Sequence, residues 1–181
     1  MKIEVISAPT SLPITYAQAA EHLRLDESTD SSYVNICIED ATDFFESETE
    51  SSIMPTTLQV THYAWAPKLF LPYGPVTDVI SVTGNGHTVS TSLYTLKRIG
   101  NTDYLDTPSN IATPIVATYT TGYETDEYGA PVMPRDIRRA IFLLTALYYE
   151  NREAMAARSM YELGHGLDRV IANHTRTTVV R

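Results

Sequence analysis

The sequence predicts an α+β protein: mainly a bundle of four helices, with an antiparallel β section inserted between the second helix and a long central helix. Three observations predict it. Apolar residues recur at three- and four-residue steps in stretches on both sides of the chain's middle. Between residues 55 and 131 the composition shifts to Val, Ile, Thr and Tyr, punctuated by Pro55, Pro67, Pro72, Pro75, Pro108, Pro114 and Pro131, which is strand and turn chemistry. The third is the segment Met133–Glu153, the longest helical pattern in the chain. At 181 residues the simplest division is one domain spanning 1–181. It is helical over 1–54 and 132–173, β over 55–131, and extended over a tail at 174–181.

The first residues, Lys2–Ser7, form a short extended arm, because Pro9 and Pro13 prevent an early helix. Thr15 reads as an N-cap, with Gln18 at capping-box spacing. The helix it opens, Tyr16–Arg24, buries Ala19, Ala20 and Leu23, and Asp26–Ser32 is a polar loop. The second helix runs from about Ser32 to Thr49 on a stripe of Val34, Ile38, Ala41 and Phe45, widened by Cys37 and Phe44. On its far side Glu39, Asp43, Glu46 and Glu50 form a row of like charges, each four-residue pair costing about 0.2–0.5 kcal/mol. The row is either a solvated face or a functional surface, and both readings place it outside the core.

Leu58–Trp65 alternates, Lys68–Leu71 is a short extended piece, and Val76–Val82 leads to Gly84-Asn85-Gly86, where Asn-Gly is a hairpin signal. His87–Ser90 and Leu93–Arg98 continue the meander, and Ile115–Thr121 is the last strand. The central helix carries Ile137, Ala140, Ile141, Leu144, Leu147 and Tyr148 on one face. The opposite face begins with Arg135, Arg138 and Arg139 and continues with Phe142, Ala146 and Tyr149, so the second half is apolar nearly all round. Such a helix is buried on every side, within its own domain or against a partner. Its arginines oppose the macrodipole by about 0.3–1 kcal/mol each, which calls for an acidic partner. Ala154–Tyr161 is a link, and a short final helix turns Leu163, Leu167, Val170 and Ile171 inward.

The net charge of −9 is uneven. Residues 1–60 hold eleven acids against Lys2 and Arg24, whereas residues 131–181 hold eight arginines against five acids. An acidic front and a basic back permit head-to-tail association of copies or internal pairing. The balance disfavours a DNA-binding module with a basic groove. A single cysteine, Cys37, excludes an internal disulfide framework and a cysteine zinc site, and it reads as inert packing. Without a signal-peptide pattern or a run near membrane-span length, the chain is expected to be soluble and intracellular.

Catalytic constellations are absent from the sequence. His22, His62, His87, His165 and His174 lack metal-ligand spacing, and no Walker loop, nucleophile elbow or dinucleotide fingerprint occurs. The acid row spaces its carboxylates along a line rather than around a point, which suits a divalent cation poorly. The expectation is therefore no catalytic residues, no cofactor and no metal.

Five pieces taken together resemble a known family. They are Val5–Pro9, Thr15–Arg24, Leu71–Val76, Val116–Tyr123 and Pro134–Glu153; the most specific is the coupling of T-Y-x-x-G-Y at Thr118–Tyr123 to Y-Y-E-N-R-E at Tyr148–Glu153. This pattern is similar to the head–tail connector, or adaptor, proteins of long-tailed phages and related gene transfer agents. The resemblance implies a non-enzymatic ring of about twelve copies below the portal, made in the host cytoplasm and located in the virion neck. It would extend the channel for double-stranded DNA, which passes without sequence-specific binding, and provide a platform for a stopper or tail-completion protein, with no membrane partner. On this reading Glu39, Asp43, Glu46 and Glu50 of one copy face Arg135, Arg138, Arg139, Phe142 and Tyr149 of the next. The competing place for the acids is the channel wall. The tail, Thr175, Arg176, Thr177, Thr178, Val179, Val180 and Arg181, is the candidate for portal docking by strand addition. The alternatives are another neck or tail-completion protein and an unrecognised small enzyme.

Overall fold

The computed structural model describes residues 1–26, 30–151 and 165–176. The expected link at 154–161 and Leu163 lie outside these residues. The first strand, β1 (Lys2–Ser7), is the extended arm. Helix α1 (Tyr16–Leu23) starts at Thr15, whose hydroxyl accepts from the Gln18 amide while the Gln18 side chain accepts from the Thr15 amide. Helix α2 (Ser31–Thr49) follows. Then come β2 (Thr56–His62), β3 (Lys68–Leu71), β4 (Val76–Gly84), β5 (His87–Thr88), β6 (Thr95–Ile99), β7 (Thr102–Asp106) and β8 (Ile115–Thr121). Helices α3 (Arg135–Glu150) and α4 (His165–His174) close the chain. The fold is α+β, with four α-helices and antiparallel sheets among the described residues.

The chain divides into two compact units. The β unit comprises Met1–Thr10, Glu50–Glu124 and Arg176; the helical unit comprises Ser11–Thr49 and Thr125–Thr175. The expected helical bundle is thus one unit of two, and the β section is more than an insert, because it recruits β1 and Arg176 from the two ends.

In the β unit a five-stranded sheet has the order β1-β2-β8-β4-β5, and a three-stranded sheet has the order β3-β7-β6. Strand β8 is central and alternates strictly: Ile115, Ala117, Tyr119 and Thr121 are buried while Val116, Thr118 and Thr120 are half-buried. Its inward residues join Leu58, Val60, Val76 and Val82 with Leu69, Leu71 and Leu105 of the smaller sheet in one apolar core. Tyr119 lies in that core, and its hydroxyl donates to the Pro72 carbonyl at 2.8 Å. Burial, with Asp103 nearby, raises the phenol's pKa well above the ordinary tyrosine value, so it stays neutral. The hairpin turn falls at Asn85-Gly86, both in the left-handed region, as a two-residue turn between twisted strands requires.

In the helical unit α2 and α3 pack against each other and run antiparallel. The start of α2 meets the end of α3, where the Tyr33 hydroxyl donates to the Tyr148 carbonyl. Val34, Cys37, Ile38, Ala41 and Phe45 from α2 are buried, as are Ile137, Ala140, Ile141, Leu144 and Tyr148 from α3. Ile14, Ala19, Ala20 and Leu167 complete this core. No helix of the described residues is long and apolar enough to cross a membrane.

Candidate assembly surfaces

The helical periodicity that buries one face of α2 turns Glu39 and Asp43 outward, and both are exposed. Glu46 is half-buried, and Glu50 lies past the helix end in a left-handed conformation, within the β unit. The predicted row of four therefore persists as an exposed stripe only over its first half. Two residues extend that stripe which the row did not include: Asp40, exposed, and Ile36, 49 % exposed. Ile36, Glu39, Asp40 and Asp43 stand at i, i+3, i+4 and i+7, so they share one face. The sequence signal was an isoleucine out of phase with the core stripe.

On α3, Pro134 occupies the N-cap position and offers no side-chain cap. Arg135 and Arg139 are exposed, and neither makes an ion pair among the described residues. Arg138 is half-buried, and its guanidinium donates to the Pro131 carbonyl at 3.3 Å. Phe142 packs against His22 with ring centroids 5.2 Å apart. Tyr149 packs on Tyr33 at 5.8 Å, and its hydroxyl donates to Asp30 at 3.2 Å. Much of the surplus apolar surface predicted for α3 is thus covered within its own unit. What stays open is Leu143, 43 % exposed. It lies in a groove lined by Arg139, Leu143, Ala146 and Leu147 of α3 and by Leu167 and Val170 of α4.

At the N-terminal end of α3 the Asp136 carboxylate meets the His174 imidazole of α4 at 2.8 Å and accepts from the Ile137 amide. Burial favours the neutral acid, but the hydrogen bond and charge of His174 and the backbone donors outweigh it, so the Asp136 pKa is lowered. A depressed carboxylate contributes stability that is present above its unfolded value of about 3.9 and is lost as pH falls through its folded value. Asp136→Asn is expected to flatten the loss of stability on acidification below about pH 4, read as denaturant midpoints at several acid pH values. Equal slopes in the two proteins would refute this role.

The described part of the tail is anchored. Thr175 donates to the Ile171 carbonyl at 2.7 Å. Arg176 donates to the Asn101 carbonyl and to Asp103 Oδ2, the latter at 3.1 Å. Asp103 is 2 % exposed; it also takes Arg98 Nε at 2.6 Å on Oδ1 and the Val76 amide at 2.9 Å on Oδ2. Burial lowers the Arg176 pKa, with Asp103 opposing, yet an arginine stays charged. Gly74 permits this close approach, since a Cβ there would collide with both Arg176 and Asp103. Thr177, Thr178, Val179, Val180 and Arg181 lie outside the described residues.

Among the described residues no group of three or more His, Cys, Asp or Glu is placed to hold a metal ion. Cys37 is buried in the α2 stripe. His62 is half-buried, and burial lowers its pKa, which keeps the ring neutral at neutral pH.

No protein-family model and no curated protein matches this chain. Solved structures do match, over nearly its whole length. A chain in the virion of a native gene transfer agent particle shares 19 % identity with a TM-score of 0.78, covering 99 % of this chain and 98 % of that one. A chain in the neck of an empty gene transfer agent particle, computed with C6 symmetry, shares 20 % identity at TM-score 0.78 and the same coverage. A chain in the neck of a native particle, computed with C12 symmetry, shares 20 % identity at TM-score 0.75, again with coverage of 99 % and 98 %. At these identities the likeness establishes a common fold.

Proposed function

We propose that this chain is a structural, non-enzymatic neck component of a tailed phage or phage-like particle. More specifically, we read it as the head–tail adaptor, a single connector subunit that forms a ring of about twelve copies beneath the portal, extends the DNA channel and receives the next neck protein. The observation that carries this reading is the near-complete match in fold, end to end, to chains in gene transfer agent necks, one of them computed with C12 symmetry.

In this reading Glu39, Asp43, Glu46 and Glu50 belong to the subunit interface rather than the channel wall, opposite Arg135, Arg138, Arg139, Phe142 and Tyr149 of a neighbour. Faces of opposite charge on neighbouring copies attract when they meet. The tail docks on the portal through residues 177–181, whose Thr and Val content suits strand addition. Arg176 sets the point from which that tail departs.

Native mass spectrometry of the chain, alone and mixed with a candidate portal ring, tests the reading. Addition of about twelve copies to the portal supports the adaptor. A markedly different copy number would favour another neck protein, and failure to bind any portal would sink the proposal. Truncation after Arg176, which keeps the Asp103 pair, is expected to abolish portal binding while leaving thermal stability unchanged. Undiminished binding would remove the tail from the portal contact.

A further inference from the structure

Strand β1 is an edge of the five-stranded sheet: among the described residues it pairs with β2 and with no other strand. Its second row of backbone donors and acceptors therefore lies open. Every residue of β1 is exposed. Residues directly opposite each other on paired strands share a face. Ile3 stands opposite Val60 and Val5 opposite Leu58, so both lie on the face that carries the apolar core. Yet Val60 and Leu58 are buried, whereas Ile3 is 36 % and Val5 62 % exposed. The core face thus runs one strand further than its cover. On the other face of β1, Lys2 and Glu4 form an ion pair at 2.8 Å. The β1–β2 ladder is regular from Lys2 to Val5 and irregular between Val5 and Ser7.

We propose that β1 pairs antiparallel with β1 of a second copy about a twofold axis at Ile3, joining the two sheets edge to edge. Symmetry and charge select this register. Facing residues of a twofold antiparallel pair share a face, so the axis falls on a residue and not between two. Centred on Glu4, the two Glu4 carboxylates would meet; centred on Lys2, the two ammonium groups would. Like charges directly opposite are unfavourable. Centred on Val5, the pairing would run into the irregular segment. Centred on Ile3, Lys2 of each copy faces Glu4 of the other. With the Lys2–Glu4 pair inside each strand, the four groups then alternate in sign around a square. On the core face the two Ile3 side chains meet, each flanked diagonally by Val5 of the other copy. Apolar surface beside Val60 and Leu58 leaves water as a result. A lysine on an edge ordinarily discourages pairing; Glu4, on the same face, gives it a partner across the join. The occupant is a second copy because this strand is its own complement, apolar on apolar and acid on base. The pairing is independent of the ring reading. A twofold contact uses the same patch on both copies, so it closes at two and is not the contact that builds a ring of equivalent subunits. It belongs to the chain free of the portal.

Sedimentation velocity of the full chain without portal, over a range of concentrations, tests the pairing. The expected result is an equilibrium between monomer and dimer. Lys2→Glu sets like charges at both facing pairs, and Glu4→Lys does so with the opposite sign. Each variant alone should dimerise about tenfold more weakly than the parent. Mixed in equal amounts they should regain the parent's dimer, because each supplies the charge the other lacks. With the axis on Glu4 or Lys2, one of the two variants alone would be neutral, so a variant without effect overturns the register. Ile3→Cys, placed on the axis, should cross-link to itself through a short bis-maleimide and lose the cross-link when Lys2→Glu is added. The parent, whose Cys37 is buried, is the control. A parent that stays monomeric up to its solubility limit overturns the proposal, as does a mixture that fails to recover with both variants folded by circular dichroism. If that monomeric parent still adds to portal in about twelve copies, the ring reading stands without this contact. A dimer that binds no portal would do the reverse.

Discussion

Replacing Asp103 with alanine is expected to destabilise the β unit by about 3–5 kcal/mol, the cost of leaving a buried charge without its partner. Three donors converge on this carboxylate: Arg98 Nε, Arg176 Nη1 and the Val76 amide. They are not equivalent. The Arg98 side chain is 50 % exposed, so water can take over its solvation, and Arg98→Ala should cost under about 1 kcal/mol. Arg176 is 11 % exposed and its Nε has no hydrogen-bond partner among the described residues, so loss of Asp103 strands a cation with little access to water. The Val76 amide loses its acceptor as well. Trp65, the sole tryptophan, packs against the β core, and its fluorescence during urea unfolding reports the change. A midpoint within error of the parent would mean that Arg176 re-solvates and that the tail's anchor is weak.

Phe45→Ala should destabilise the helical unit by a similar amount, about 3–5 kcal/mol, through a different mechanism. Phe45 is fully buried, at the C-terminal end of the stripe that begins with Val34. Removing its ring takes apolar surface from the core and leaves a cavity that the packed α2–α3 pair can close only in part. Helical ellipticity in urea would show the loss, and Phe44, half-buried on the flank, provides the control with a smaller effect. If the two substitutions cost the same, the inward direction assigned to the stripe would be wrong.

These two residues also mark what could be read in advance. Phe45 was legible because a helix core follows a local rule: residues three and four apart share a face, so Val34, Ile38, Ala41 and Phe45 announce it. The same holds for the Thr15 capping box, the Asn85-Gly86 turn and the strands Lys68–Leu71 and Ile115–Thr121, which match their predicted bounds. Asp103 was not legible, because its partners stand 5, 27 and 73 residues away and only the fold assembles them. Strand β7 escaped for a related reason: three of the five residues of Thr102–Asp106 are acid or threonine, and it is a strand because β3 and β6 flank it on either side.

The candidate surfaces divide along the same line. Periodicity placed Glu39, Asp43, Arg135 and Arg139 on helix faces, and that was correct because a helix fixes the direction of each side chain. It also kept Glu46 and Glu50 in the row, which holds only while the helix continues and nothing covers it. The sequence alone determined the helices, most strands, the sign of each charged face and the lack of a catalytic motif, since these depend on neighbours a few residues apart. Only the tertiary structure decided that β1 and Arg176 join the β unit, that Arg176 is held by Asp103, and that Phe142 and Tyr149 are occupied while Ile36 and Leu143 remain open. Those outcomes depend on which distant surfaces meet, and no spacing along the chain encodes that.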